Sequence, residues 1–246
     1  MTAIQLFPRA QTRRSPVDAW RAVPLTGGGS VRVREARIGD YAGIRALQQR
    51  GATATPPATQ RHFESRLHGF GAGQLVALCD GQLAGFASGL LVDWDAHGAE
   101  PRTWGAMCGE GGFTTHDPRA RTLYGAELTV EPSQRGVAAA RALIQAHRRL
   151  VRRLDARRLV MTPPFTGYES VARRMTPEEF AMRIAWGDVA APEWRFLMAQ
   201  GFQLCGVLRD FHAEGGHAGL LAWTNPLHAP PRPPANEESE TPRKCA

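Results

Sequence analysis

The densest chemical signal in the chain is Leu123-Tyr-Gly-Ala-Glu-Leu-Thr-Val130-Glu-Pro-Ser-Gln-Arg135-Gly-Val-Ala-Ala-Ala140-Arg-Ala-Leu143. It reads as a strand running into a turn at Pro132, with a helix opening just after Arg135-Gly136. A helix start leaves backbone N–H groups unpaired and carries partial positive charge. Phosphate oxygens suit that place, and small side chains let them approach. The small residues here are Gly136, Ala138, Ala139 and Ala140, and Arg135 adds a full charge. The plainer reading is a tight strand-to-helix turn whose alanine-rich helix packs on a sheet.

Other constellations are weaker. Cys108, His116 and Asp117 have the types of a nucleophile, a base and its orienter. Cys108 lies between Met107 and a glycine run, however, so a buried or merely exposed thiol is expected. His62 and His68 are six apart on one helix, which does not suit chelation across a turn, and His212 and His217 fall in a loop. No metal site is expected. Of the 30 basic residues, 29 are Arg, and the one lysine, Lys244, is the third residue from the end. A Walker-type phosphate loop, a Schiff-base cofactor or a lysine base inside the fold is thereby excluded.

The elements that must position these groups alternate between strand and helix. Residues 30–34 alternate apolar and polar as a half-buried strand does. Asp40 is placed to cap a helix carrying Ile44 and Leu47, and a second helix is expected from Thr59 to about Leu67. Strands at 74–79 and 83–92 are joined by Asp80-Gly81, a strong hairpin signal. A strand at 123–130 precedes a long helix, about 137–154, with Leu143, His147, Leu150, Val151 and Leu154 on one face. Strict alternation puts Leu128 and Val130 on the core face with Tyr124, and Gly125, Glu127 and Thr129 on the other. A short strand at 159–161, helices near 176–185 and 191–200, and strands at 202–207 and 217–223 complete a mixed α/β single domain.

The flanks read differently. Residues 1–29 form a flexible leader, with a short helix near Trp20, and the folded domain spans 30–227. The segment 228–246, with five prolines and an acidic run, has too little apolar content to fold. The longest apolar stretch, around 86–92, is far short of the roughly 18 residues that span a bilayer. No secretory signal is recognisable, and the cysteines at 79, 108, 205 and 245 are unclustered. A cytoplasmic, reducing location is expected. The net charge of +7 admits a polyanion partner. The arginines around 148–158, though, are equally the solvated end of a helix, where cations meet the negative dipole. Nucleic-acid docking is therefore weighed and set aside.

The pattern Val130-x-Pro132-x-x-Arg135-Gly136-x-Ala138-x-Ala140-x-x-Leu143 resembles the coenzyme-A signature of the GNAT acetyltransferase superfamily. The resemblance covers about 31–226. Thr103-Trp104, Gly109-x-Gly111, Thr115-His116-Asp117-Pro118, Leu123-Tyr124-Gly125, Gly201-Phe202, Gly206-Val207-Leu208 and Trp223-x-Asn225-Pro226 recur in a GNAT domain found fused to a carbon–nitrogen hydrolase. The chain is expected to be a relative of that module without the hydrolase half. Two departures stand out: Ala138 and Ala140 occupy usual glycine positions, and Leu197 stands where many relatives carry a tyrosine acid.

The resemblance implies a GNAT-like domain with a central, mostly antiparallel mixed sheet flanked by helices. It implies acetyl-CoA as cosubstrate, gripped by Leu128, Thr129 and Val130, with its pyrophosphate on Arg135, Gly136, Val137, Ala138, Ala139 and Ala140. It further implies direct transfer to a primary amine, a small molecule or a peptide, without an acyl-enzyme. Glu127 is the candidate general base, and Tyr168, on a loop after the short strand, the candidate acid. The acceptor groove is expected between the two N-terminal helices and the segment 163–190. No membrane partner is expected, and homodimerisation is left open. The rivals are a catalytically idle coenzyme-binding scaffold and an Arg-rich nucleic-acid partner.

Overall fold

A computed structural model describes residues 23–24, 30–50, 57–94 and 103–228. The leader anticipated over 1–29, apart from 23–24, and the tail beyond 228 lie outside the described residues. In chain order the elements are β1 (Val23–Pro24), β2 (Ser30–Glu35), α1 (Tyr41–Arg50), α2 (Gln60–Phe70), β3 (Gln74–Cys79), β4 (Gln82–Val92) and α3 (Trp104–Cys108). They continue with β5 (Thr122–Val130), α4 (Gln134–Arg153), β6 (Arg158–Met161), α5 (Pro177–Trp186), α6 (Pro192–Ala199), β7 (Gln203–His212) and β8 (Gly216–Thr224).

Local chemistry accounts for most of these boundaries. Thr59 caps α2 by accepting from the His62 amide, and Ser133 caps α4 by accepting from Gly136. Thr176 and Glu179 form a reciprocal capping box on α5, and Gly187 ends it in the left-handed region. At the hairpin between β3 and β4, Asp80 has φ 49° and Gly81 φ 83°. Both central residues at positive φ make the tight turn whose twist matches paired strands. Asp40 does not cap α1 in the manner expected. It closes a 3-10 turn, Ile38–Asp40, and its carboxylate accepts from the Arg37 amide and the Arg34 guanidinium. The short α3, capped by Thr103, has no periodic signal long enough to be read from sequence.

The strands form one sheet in the order β1-β2-β3-β4-β5-β6-β8-β7, and β5–β6 is its parallel pair. The other neighbours run antiparallel. Helix α4 is the crossover that a parallel pair requires. Its apolar stripe packs Ala139, Leu143 and Ala146 against β2, β3 and β4, and Ile144, Leu150 and Val151 against Leu123, Leu159 and Leu221. On the opposite face α1 and α2 cover Val76 and Phe86, while Trp104, Cys108 and Phe113 cover Tyr124, Ala126 and Phe211.

Two local features open the sheet at its centre. Ser88 pairs with Glu127 and Gly89 with Gly125, so Ala126 is an extra residue in β5, a bulge. Beyond Met161 the chain meets Pro163-Pro164, which have no N–H to offer a ladder. There it veers to β8 through a Pro164–Ala218 bridge and a bond from the Phe165 amide to the His217 carbonyl. Strands β5 and β6 are therefore paired only from Thr122 to Gly125, and they part beyond it.

Candidate active site

The parting leaves a cleft of about 460 Å³ between the C-terminal halves of β5 and β6. One wall is Gly125 to Val130, the other Met161 to Pro164, with Phe196 and Leu197 of α6 closing a third side. Pro132, Val137 and Ala140 carry the cleft to the start of α4. Its size falls within the roughly 300–1,000 Å³ usual for ligand pockets. On the β5 side, backbone past Gly125 faces the opening without β6 opposite it, so an extended ligand can lie along this strand as a neighbour would.

The sequence-predicted residues divide in a definite way. Leu128, Thr129, Val130, Val137 and Ala140 line the cleft, as does Glu127. The rest of the turn supports it from behind. Gly136 is buried, its amide donates to the Ser133 hydroxyl, and a Cβ there would lie 1.8 Å from the Glu131 carbonyl oxygen. Ala139 sits against Gly85 of β4, and Ala138 packs with the cluster under β2 and β3. The Arg135 guanidinium reaches back to Asp80 of the β3–β4 hairpin, 3.0 Å away.

Tyr168 is not brought to the cleft. It starts a 3-10 turn, its hydroxyl donates to the Met175 carbonyl, and its ring packs on Phe165, Phe180 and His217. Tyr124 corrects the expected alternation. The bulge at Ala126 places it opposite α4, on the side of Glu127, where it contacts Trp94 and Phe211. Burial pushes its hydroxyl well above the usual tyrosine range, and it bonds the Thr162 hydroxyl at 2.7 Å.

Glu127 is 7% exposed and tied on both oxygens. Oε1 accepts from Gln48 of α1 at 2.5 Å and from the Thr129 hydroxyl at 3.1 Å. Oε2 accepts from Arg66 of α2 at 3.2 Å. Arg66 is in turn fixed by the Gly111 carbonyl, the Ser88 hydroxyl and the Phe113 ring, whose centre is 4.3 Å from its guanidinium carbon. The carboxylate thus sits in a cage of donors from three elements.

The sequence reading missed His212 in this setting. It is the last residue of β7 rather than part of a loop, and it lines the cleft. Asp210 at φ 51° and the register break between Leu208 and His212 interrupt the period by which the strand would have been read. His217, likewise, lies in β8, next to its first residue, and accepts from the Asp210 amide. Arg66, Gln48 and Thr162 carry no sequence motif; only their convergence marks them.

Cys108, His116 and Asp117 are each engaged elsewhere rather than with one another. Burial pushes the Cys108 thiol well above its usual range. His116 accepts from the Leu91 amide and stacks on Phe70, and Asp117 accepts from the Arg119 amide. No cluster of three or more potential metal ligands occurs among the described residues. On the arginine ridge, Arg148 lies over Phe202 and Trp223, and Arg152 over Trp223. Among the described residues no helix is long and apolar enough to cross a membrane.

Comparison with solved structures identifies the architecture. The loading GNATL domain of CurA from Lyngbya majuscula matches with a TM-score of 0.65 at 12% identity, covering 79% of this chain and 98% of that one. The GphF GNAT-like decarboxylase, solved with isobutyryl-CoA, matches at 0.63 and 21% identity, covering 79% and 99%. The fold is GNAT-like. Among curated proteins of Bacillus subtilis strain 168, the probable hydrolase YhcX is 27% identical over 202 residues, 80% of this chain but 39% of its own length. The uncharacterized N-acetyltransferase YkwB is 22% identical over 170 residues, 68% of this chain and 75% of its own. The chain therefore spans well under half of the first of these relatives. No protein-family model matches it.

Proposed function

We propose that the protein is an N-acyltransferase that moves an acetyl group from acetyl-CoA to a primary amine of a small molecule or peptide. The observation that carries this reading is the cleft itself: an unpaired strand edge that leads directly to a helix start. The pantetheine arm, with its two amides, lies along Leu128, Thr129 and Val130 as an added strand would. The pyrophosphate meets the first turn of α4, where the amides of Gln134 and Arg135 precede the first intrahelical bond. The fold comparisons and the YkwB likeness support this assignment. The likeness to YhcX extends to no activity of that longer protein.

The thioester carbonyl then points toward the bulged part of β5. The acceptor nitrogen forms a bond to that carbon, the C–S bond breaks, and the electron pair leaves on the coenzyme sulfur. With Leu197 in the cleft wall, no hydroxyl acid stands at that position, so the thiolate takes its proton from solvent. Its pKa lies near 8.5 by analogy with cysteine. Glu127, held by Gln48, Thr129 and Arg66, fixes the positions of Arg66 and Gln48 behind the cleft wall. The free thiols Cys79, Cys108 and Cys205 suit a reducing, cytoplasmic setting.

The test is an acceptor screen that reads coenzyme A release from acetyl-CoA over polyamines, aminoglycoside-type amines, amino acids and peptide N-termini. Release with at least one amine class is the expected result, together with thermal stabilisation by acetyl-CoA alone. Saturation at a hundred times Kd adds about 2.7 kcal/mol. Glu127→Gln is expected to lower turnover while leaving that stabilisation in place. Indifference to millimolar acetyl-CoA removes the assignment. Loss of carbon dioxide from a carboxylated acyl-CoA without any acceptor replaces it with a decarboxylase.

A further inference from the structure

His212 belongs to two cavities at once. Besides the cleft, it lines a second cavity of about 410 Å³ on the α2 side of the sheet, with Trp104, Phe211, His62 and Glu110 among the walls. The cleft holds the acyl donor in the reading above, so this residue stands in the partition between the donor space and a space that reading leaves empty. The second cavity is suited to an amine: aromatic walls in Trp104 and Phe211, and the Glu110 carboxylate to draw in a cation.

The state of the ring is fixed by one bond. Nε2 lies 3.2 Å from the Thr162 backbone carbonyl oxygen, which only accepts, so Nε2 carries the hydrogen. In a neutral imidazole the other nitrogen, Nδ1, is then the bare lone pair. That atom is buried and has no hydrogen-bond partner among the described residues. Buried polar atoms are satisfied in the great majority of cases, and an exception calls for an explanation. A donor hydrogen arriving on a ligand supplies one. Burial also holds the imidazole below its ordinary pKa, against the opposing effect of the Thr162 bond, which keeps it neutral at pH 7.

We propose that His212 is the catalytic base of the transfer, and that the amine enters through the second cavity and meets the thioester at His212, where the two spaces adjoin. This rests on the acyl-transfer reading and deepens it. The acceptor nitrogen's lone pair forms the N–C bond at the thioester carbonyl. As the C–S bond breaks, the surplus proton of the nitrogen passes to Nδ1, directly or through one water, and the resulting imidazolium returns it to solvent, from which the thiolate is protonated. Such a base contributes roughly 10²–10⁴-fold in rate, and its hydrogen bond to the reactant tightens only in the loaded site. Around the ring, the charged or titratable groups are Arg50, Glu127 and Glu193 on the cleft walls and His62, Arg66 and Glu110 on the second cavity. Asp210 and Arg209 precede it on β7 and His217 follows on β8.

The experiment uses the full chain and the amine giving most coenzyme A release in the screen. His212→Gln and His212→Ala are compared with wild type in kcat/KM from pH 5 to 9 and in thermal stabilisation by acetyl-CoA. The expected result is a fall of about 100-fold or more at pH 8, with donor stabilisation retained. The wild-type to His212→Gln ratio cancels the amine's own ionisation, and it is expected to shrink as pH falls and the imidazole charges. Added imidazole is expected to restore part of the His212→Ala rate, which a merely structural loss does not allow. Either variant within threefold of wild type, or a ratio flat with pH, overturns the assignment while leaving acyl transfer intact. A wild-type protein that neither binds acetyl-CoA nor releases coenzyme A overturns both.

Discussion

At the scale of single residues, the centre of the molecule is a buried charge pair, Arg66–Glu127, with side-chain exposures of 1% and 5%. Removing one partner of such a pair leaves the other desolvated and uncompensated, typically at about 3–5 kcal/mol. Arg66→Met, which orphans the Glu127 carboxylate, and Glu127→Gln, which orphans the Arg66 guanidinium, are therefore each expected to lose about 3 kcal/mol or more in urea unfolding. His147 makes a pH prediction. Burial in α4 lowers its pKa from 6.5 to about 4, against a bond to the Gly73 carbonyl. The unfolded chain thus binds the proton more readily. Stability is complete above about pH 6.5 and is lost progressively as pH falls toward 4, by up to about 3 kcal/mol. Unfolding of wild type and His147→Gln across pH 4–7 checks this, and the variant should show the shallower slope.

At the scale of elements, the strand–turn–helix from β5 into α4 depends on one glycine. A Cβ at Gly136 would collide with the Glu131 carbonyl oxygen, so Gly136→Ala must displace the turn. Ser133→Ala removes only the cap on the same turn, a loss of about 1 kcal/mol. The glycine variant should abolish stabilisation by acetyl-CoA, and the serine variant should leave most of it. Equal effects on ligand binding, read by thermal shift, would separate the turn from the donor site. The signature was legible here because a helix start and a tight approach need particular residue types in fixed order. Glu127 was legible for its place beside them. Tyr124 was misplaced because a bulge adds one residue to β5 and reverses the alternation, and no residue type at Ala126 announces it.

For the molecule as a whole, the cleft is held open by packing at a distance. Gly219 of β8 lies under the Trp194 indole, where an added Cβ would come within 2.0 Å of the ring. Trp194 anchors α6 and donates to the Pro164 carbonyl, tying α6 to the chain that leaves β6. Gly219→Ala is therefore expected to shift α6, whose Phe196 and Leu197 close the cleft. Weaker acetyl-CoA stabilisation in a folded protein, with circular dichroism unchanged, is the outcome that checks this, although Gly219 itself does not line the cleft.

The sequence by itself determined the order of the longer strands and helices, the hairpin at Asp80-Gly81, and the strand-to-helix turn from β5 into α4. Those features follow from period, capping and turn chemistry, which act between residues close along the chain. Only the tertiary structure decided that β5 and β6 part after Gly125, that Gln48 and Arg66 close on Glu127, and that His212 stands between two cavities. The contacts made by Glu127 and His212 join residues separated by 50 or more positions. Their partners are selected by sheet order and helix packing, and neither leaves a periodic trace in the residues themselves.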